Sequence, residues 1–130
     1  MRLHHVGVVV SDLEAWLAHM LELFGAKPLG PPVEDPLQRV RVVFVDAGTG
    51  TTIEGVEPVG DDSPVARFLG SGGSLNHLCF EVQDLDAEWG RLRGEGCVPV
   101  SPPKPAVAFD GRRVAFLYTR ERHLVELVES

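Results

Sequence analysis

The sequence predicts an α+β protein built from two tandem βαβββ modules, their strands forming one curled mixed sheet around a central metal site. Three observations point there. The chain repeats itself at an offset of 72 residues with no gap: LHHVGVVVSDLE (residues 3–14) matches LNHLCFEVQDLD (75–86), and VVFVDAGTGTTIEGVE (42–57) matches VAFLYTRERHLVELVE (114–129). The repeat carries a histidine and a glutamate 49 residues apart in each half, His5 with Glu54 and His77 with Glu126. Hydrophobic periodicity alternates between strand and helix in the same order in both halves.

Element by element, residues 2–10 alternate in part and are rich in valine, as a half-buried strand is. Ser11 and Glu14 have capping-box spacing, with Ser11 as the N-cap. Leu13, Trp16, Leu17, Met20, Leu21 and Phe24 then form one apolar helix face, and Gly25 ends it. Residues 26–29 read as a short strand and 30–36 as a Pro-rich loop. Residues 40–47 and 51–57 read as a hairpin turning at 48–50. The second half gives a strand at 75–82, a helix near 84–93, a strand near 97–100, a loop at 101–109 and a hairpin from 112 to 129. Module 1 thus covers 1–57, a linker with a short helix started by Ser63-Pro64 covers 58–73, and module 2 covers 74–130, together one compact domain.

Composition narrows the function classes. The formal net charge is −7, with two lysines among the 12 basic residues, so no nucleic-acid surface is expected. No apolar run reaches the roughly 18 residues of a membrane span. Two cysteines, Cys79 and Cys97, do not make a disulfide framework. The start of the chain has no basic region followed by a long apolar stretch. A cytoplasmic protein is the simplest expectation.

Strand alternation sorts the side chains by face. Val6, Val8 and Val10 point toward the first helix; His5 points the other way. His77 takes the equivalent face, and Glu54 and Glu126 occupy matching positions on the last strand of each half. A carboxylate inside a valine-rich sheet is costly unless paired or metal-bound. His5, Glu54, His77 and Glu126 are therefore the candidate metal ligands. Two neutral imidazoles and two carboxylates would bring a divalent ion close to zero net charge. An octahedral ion would keep two positions for substrate oxygens.

The opening HxGVxVxDL, the centre HLxFEVxDL and the ending LVELVE resemble the vicinal oxygen chelate, or glyoxalase-fold, superfamily. Within it, VRVVFVDAG (40–48), IEGVEPVGDDSPVARFL (53–69) and GRRVAFLY (111–118) are most similar to methylmalonyl-CoA epimerases. The resemblance implies that His5, Glu54, His77 and Glu126 bind a divalent ion (Co, Ni, Mn or Zn). It also implies a homodimer, and a small-molecule substrate of the acyl-CoA class that is chelated and loses a proton beside its thioester. Glu54 and Glu126 are then the candidate acid and base, and Arg41, Arg113 and Gln38 the candidate substrate-binding residues. Alternatives on the same fold are a glyoxalase I-type isomerase acting on a thiol adduct and a non-catalytic small-molecule binder. The chain departs from the epimerase pattern in places. Gln38-Arg39 replaces a Gln-Gly pair, and Arg120-Glu121-Arg122 replaces a Gly-Gly turn before the last strand.

Overall fold

A computed structural model describes all residues 1–130. The chain divides into two compact units. The N-terminal unit is residues 5–76; the C-terminal unit is residues 1–4 with 77–130. Nine strands and three α-helices follow in the order β1 (Arg2–Val9), α1 (Leu13–Phe24), β2 (Lys27–Pro28), β3 (Val33–Asp35), β4 (Val40–Asp46), β5 (Thr52–Pro58), α2 (Ala66–Gly70), β6 (Leu75–Val82), α3 (Leu85–Gly94), β7 (Val98–Pro105), β8 (Arg113–Tyr118) and β9 (Leu124–Glu129).

In the N-terminal unit the strand order is β2-β4-β5-β1, and β3 also pairs with β4. Strands β1 and β5 run parallel, with Gly7 opposite Glu54 and Val8 opposite Gly55. Strands β4 and β5 form the expected antiparallel hairpin, with Phe44 opposite Glu54. The C-terminal unit repeats this plan as β6-β9-β8-β7. There β6 and β9 are parallel with Cys79 opposite Glu126, and β8 places Phe116 opposite Glu126. The 72-residue offset is thus also the offset of the strand register. Buried Val82, Leu85, Ala115, Leu117, Val125 and Leu127 form the core of the C-terminal unit, with Trp89 packed against them.

Several sequence expectations shift. The N-cap of α1 is Asp12, not Ser11: its Oδ1 accepts the Ala15 N–H at 3.0 Å. A carboxylate suits the positive end of the helix dipole, and Glu14 turns to Arg41 instead of back to the cap. Asp84 caps α3 in the same way, through Ala87 N–H at 2.9 Å. The apolar stripe of α1 is buried only at its start. Leu13 is fully buried, whereas Leu21 and Phe24 are 50% and 72% exposed. Spacing reports which face is apolar, not how far the sheet extends beneath it.

The short helix α2 starts at Ala66, two residues beyond Pro64, after a turn in which Ser63 N–H donates to Gly60. Ser63 is buried, and its hydroxyl has no hydrogen-bond partner. Residues 101–105, expected in a loop, extend strand β7. β7 lies at the end of the strand order, where proline's missing donor is tolerated, and register shifts absorb the irregularity. Likewise residues 33–35 of the expected Pro-rich loop form β3.

Candidate functional site

Each unit presents one histidine–glutamate pair, built the same way. In the N-terminal unit, β1 carries His5 and its parallel neighbour β5 carries Glu54. The side chains face each other with His5 Nε2 3.5 Å from Glu54 Oε1. His5 is 1% exposed and Glu54 5%. The next strand supplies Phe44, in register with Glu54, whose ring meets the imidazole edge-on at 5.2 Å between centroids and 69° between planes. In the C-terminal unit, β6 carries His77 and β9 carries Glu126, with Nε2 to Oε2 at 3.1 Å. Phe116 meets the His77 ring at 5.8 Å and 84°. Both members are buried here as well.

Desolvating a carboxylate costs several kcal/mol, and only a close positive partner recovers it. A protonated imidazole is one such partner and a metal ion another. Adjacent ligand atoms held about 2.0–2.2 Å from one ion stand about 2.8–3.6 Å apart, from octahedral to tetrahedral geometry, and the two pairs lie at 3.5 and 3.1 Å. The donors are one nitrogen and one oxygen per pair, a set that suits divalent ions of borderline softness. Each His/Glu pair is therefore able to serve as a two-point metal ligand. The edge-on phenyl fixes the ring plane. Aromatic pairs of this kind contribute about 0.5–1.5 kcal/mol beyond area burial.

The other expected site residues are held elsewhere. Arg41 pairs with Glu14 and Glu57, and the Glu57 carboxylate also accepts the first N–H of α1, at Leu13. Arg113 pairs with Asp86 and Glu129, 2.9 Å from each. Again the offset is 72, residue for residue. These clamps tie each helix start to the strand pair beside it. Arg113 holds the Glu129 carboxyl below the usual carboxylate value, helped by the Leu85 N–H; Arg41 does the same for Glu14, helped by Glu14's own backbone. Both guanidinium groups are held above their ordinary value by these carboxylates. Gln38 Nε2 donates to Asp35 Oδ2 at 3.0 Å, closing a turn in which buried Asp35 also accepts the Leu37 and Gln38 N–H groups. All three candidate substrate-binding side chains thus have structural partners. Glu81, in phase with His77, is taken by Arg2 at 2.9 Å and Arg112 at 3.5 Å.

Sequence reasoning passed over Phe44 and Phe116, the Asp12 and Asp84 caps, and the acidic arms of the two clamps. Every one of them stands at the 72-residue offset. Asking which residue types recur at that offset, rather than which could bind metal, finds them.

A family model described as Glyoxalase/Bleomycin resistance protein/Dioxygenase superfamily matches residues 4–116. The chain belongs to this superfamily. The ethylmalonyl-CoA/methylmalonyl-CoA epimerase of Cereibacter sphaeroides is 36% identical, over 97% of this chain and 96% of its own. The mitochondrial methylmalonyl-CoA epimerase of Bos taurus is also 36% identical, over 99% of this chain and 74% of its own. Among solved structures, methylmalonyl-CoA epimerase from Mycobacterium tuberculosis is 28% identical, with a TM-score of 0.86 over 98% of this chain and 87% of its own. A Streptomyces coelicolor methylmalonyl-CoA epimerase variant in complex with 2-nitronate-propionyl-CoA is 26% identical, with a TM-score of 0.85 over 100% and 94% of the two chains. The kinship is thus to epimerases, enzymes of the isomerase class. No helix of the chain is long and apolar enough to cross a membrane.

Proposed function

We propose that this chain is a divalent-metal-dependent epimerase of a 2-acyl-CoA thioester of the methylmalonyl-CoA type. The observation that carries this reading is the buried His–Glu pair repeated on register-equivalent strands, in a chain whose near full-length relatives are methylmalonyl-CoA epimerases.

In this reading, His5, Glu54, His77 and Glu126 hold one ion (Co²⁺, Ni²⁺, Mn²⁺ or Zn²⁺). When bound, the ion supplies Lewis acidity to the two oxygens flanking the acidic carbon. The chain's own residues do the rest. Neutral His5 and His77 offer Nε2, their rings kept in plane by Phe44 and Phe116. One glutamate, loosened from the ion as a carboxylate, takes the proton from C2; the other, in its protonated form, delivers its proton to the opposite face, and the pair resets by proton exchange with solvent. Such acid–base steps contribute about 10²–10⁴-fold. The functional assembly in this reading is a homodimer, which light scattering after gel filtration checks.

The test is solvent deuterium uptake at C2 of methylmalonyl-CoA in D₂O, read by mass spectrometry with added Co²⁺ and after chelation. Fast, metal-dependent uptake supports the epimerase. Uptake no faster than the enzyme-free blank, with metal demonstrably bound, removes this substrate.

A further inference from the structure

The chain has ten arginines in a background of 19 acidic residues. Six of them, Arg2, Arg39, Arg41, Arg91, Arg112 and Arg113, sit in ion pairs. In so acidic a chain a guanidinium finds a carboxylate easily, so those that do not are informative. Arg67 and Arg93 stand singly on helices α2 and α3. The other two, Arg120 and Arg122, lie in the turn between β8 and β9 and line one cavity of about 470 Å³ together with Gly96, Val98, Tyr118 and Thr119.

The turn is rigidly built. Arg122 N–H donates to Thr119 O at 2.9 Å, and His123 N–H donates to Thr119 Oγ1 at 3.1 Å. Arg122 adopts a left-handed φ of 66°, a conformation that favours glycine. Glu121, between the arginines, is satisfied by its own backbone and by Thr119, and Arg120 adds a through-space pull. The Arg120 stem lies over Gly96, its Cδ 3.3 Å from where a Cβ there would stand. The remaining wall is apolar and exposed: Val98 at 58% and Tyr118 at 41%. Two cations in no close ion pair, with Glu121 turned back to Thr119 and its own backbone, above an apolar floor with an accessible phenol ring fit an anion that carries a flat ring.

We propose that this turn is the phosphate subsite for the nucleotide end of a coenzyme A thioester: Arg120 and Arg122 take the phosphates, and Tyr118 and Val98 carry the adenine. This deepens, and rests on, the acyl-CoA reading above. Arg122, just before β9, is four residues from Glu126, at most about 14 Å of chain, a distance that an extended pantetheine arm spans.

The test is titration of coenzyme A itself into metal-loaded wild type and into Arg120→Ala/Arg122→Ala, by calorimetry, with circular dichroism as the fold control. The expected result is roughly 5- to 30-fold weaker binding in the double alanine variant, on the scale of one or two exposed charge-assisted contacts. The double lysine variant should recover part of it, and the difference should shrink as salt rises. In kinetics the loss belongs in KM for methylmalonyl-CoA and leaves kcat unchanged. KM for methylmalonyl-pantetheine, which lacks the phosphates, stays the same. Equal coenzyme A affinity in wild type and the double alanine variant overturns the subsite even if wild type epimerises. Arginine-dependent coenzyme A binding without epimerisation keeps the subsite and removes the epimerase reading.

Discussion

Where the C-terminal half has Leu127, the N-terminal half has Gly55, and the two halves fill that space differently. Leu127 is fully buried in its core, beside Leu85, Leu117 and Trp89. At Gly55 an added Cβ would collide with the Trp16 ring and touch Leu13. The indole of α1 lies where a side chain would otherwise stand. One residue earlier on the same strands, on the opposite face, the halves agree: Glu54 and Glu126, each beside a phenylalanine and facing a histidine. At this point in the strand the repeat keeps its His–Glu pair and repacks the core beneath the helix, while the Arg–Glu clamps at the helix starts recur as well. A core accepts any combination of the right volume; a ligand set does not.

The largest effects should come from the constant face. Glu126→Gln and Glu54→Gln should each lower turnover by about 10²–10⁴-fold while the fold is kept. Steady-state epimerisation alongside circular dichroism checks this, and a variant within a few-fold of wild type would exclude its glutamate from proton transfer. The repacked face should show up in stability. Leu127→Ala should cost about 2–5 kcal/mol. Gly55→Ala should cost about 1–3 kcal/mol by overpacking, and Trp16→Leu in the same chain should relieve part of it. Denaturant unfolding measures both. A harmless Gly55→Ala would mean that the indole moves aside freely. Smaller still, Phe44→Leu and Phe116→Leu should each weaken metal binding by about 0.5–1.5 kcal/mol, the scale of an edge-on aromatic contact. Competition against a chelator reads this, and unequal losses would show that one half positions its ring by other means.

The smallest effect concerns the clamps. Arg113 lowers the Glu129 pKa, and Arg41 that of Glu14, below the ordinary 4.5. A lowered carboxylate pKa stabilises the fold above the unfolded value, and that contribution fades as pH falls through the folded one. Wild type should therefore exceed Arg113→Ala at pH 7, and the gap should close below pH 4.5. Both guanidiniums are solvent-facing, so the difference is small and diminishes with salt. A gap that persists in acid would assign Arg113's contribution to packing of its stem.

Much of this architecture was legible in the sequence because the repeat supplies its own control. A lone His in a strand says little, but His5 and His77 at one offset, with Glu54 and Glu126 at the same offset, mark a constrained face. Both hairpins and strand β6 followed from alternation and from the 48–50 turn. What failed was local competition. Ser11 and Asp12 are both good caps, and only the geometry shows that Asp12 takes the N–H. Residues 101–105, with three prolines, were expected in a loop, yet an edge position lets the strand continue through them. Arg41, Arg113 and Gln38 looked free for substrate because one-dimensional spacing does not show that Glu57, Glu129 and Asp35 reach them first.

The central claim is that both pairs serve one ion. Metal content by mass spectrometry of wild type, His5→Ala and His77→Ala, after loading with Co²⁺ and desalting, tests it most directly. The account predicts one ion per chain in wild type and, in each variant, well below half an ion, since losing either half's histidine breaks the same site. Two ions per wild-type chain, or one variant that keeps its full complement, would contradict it.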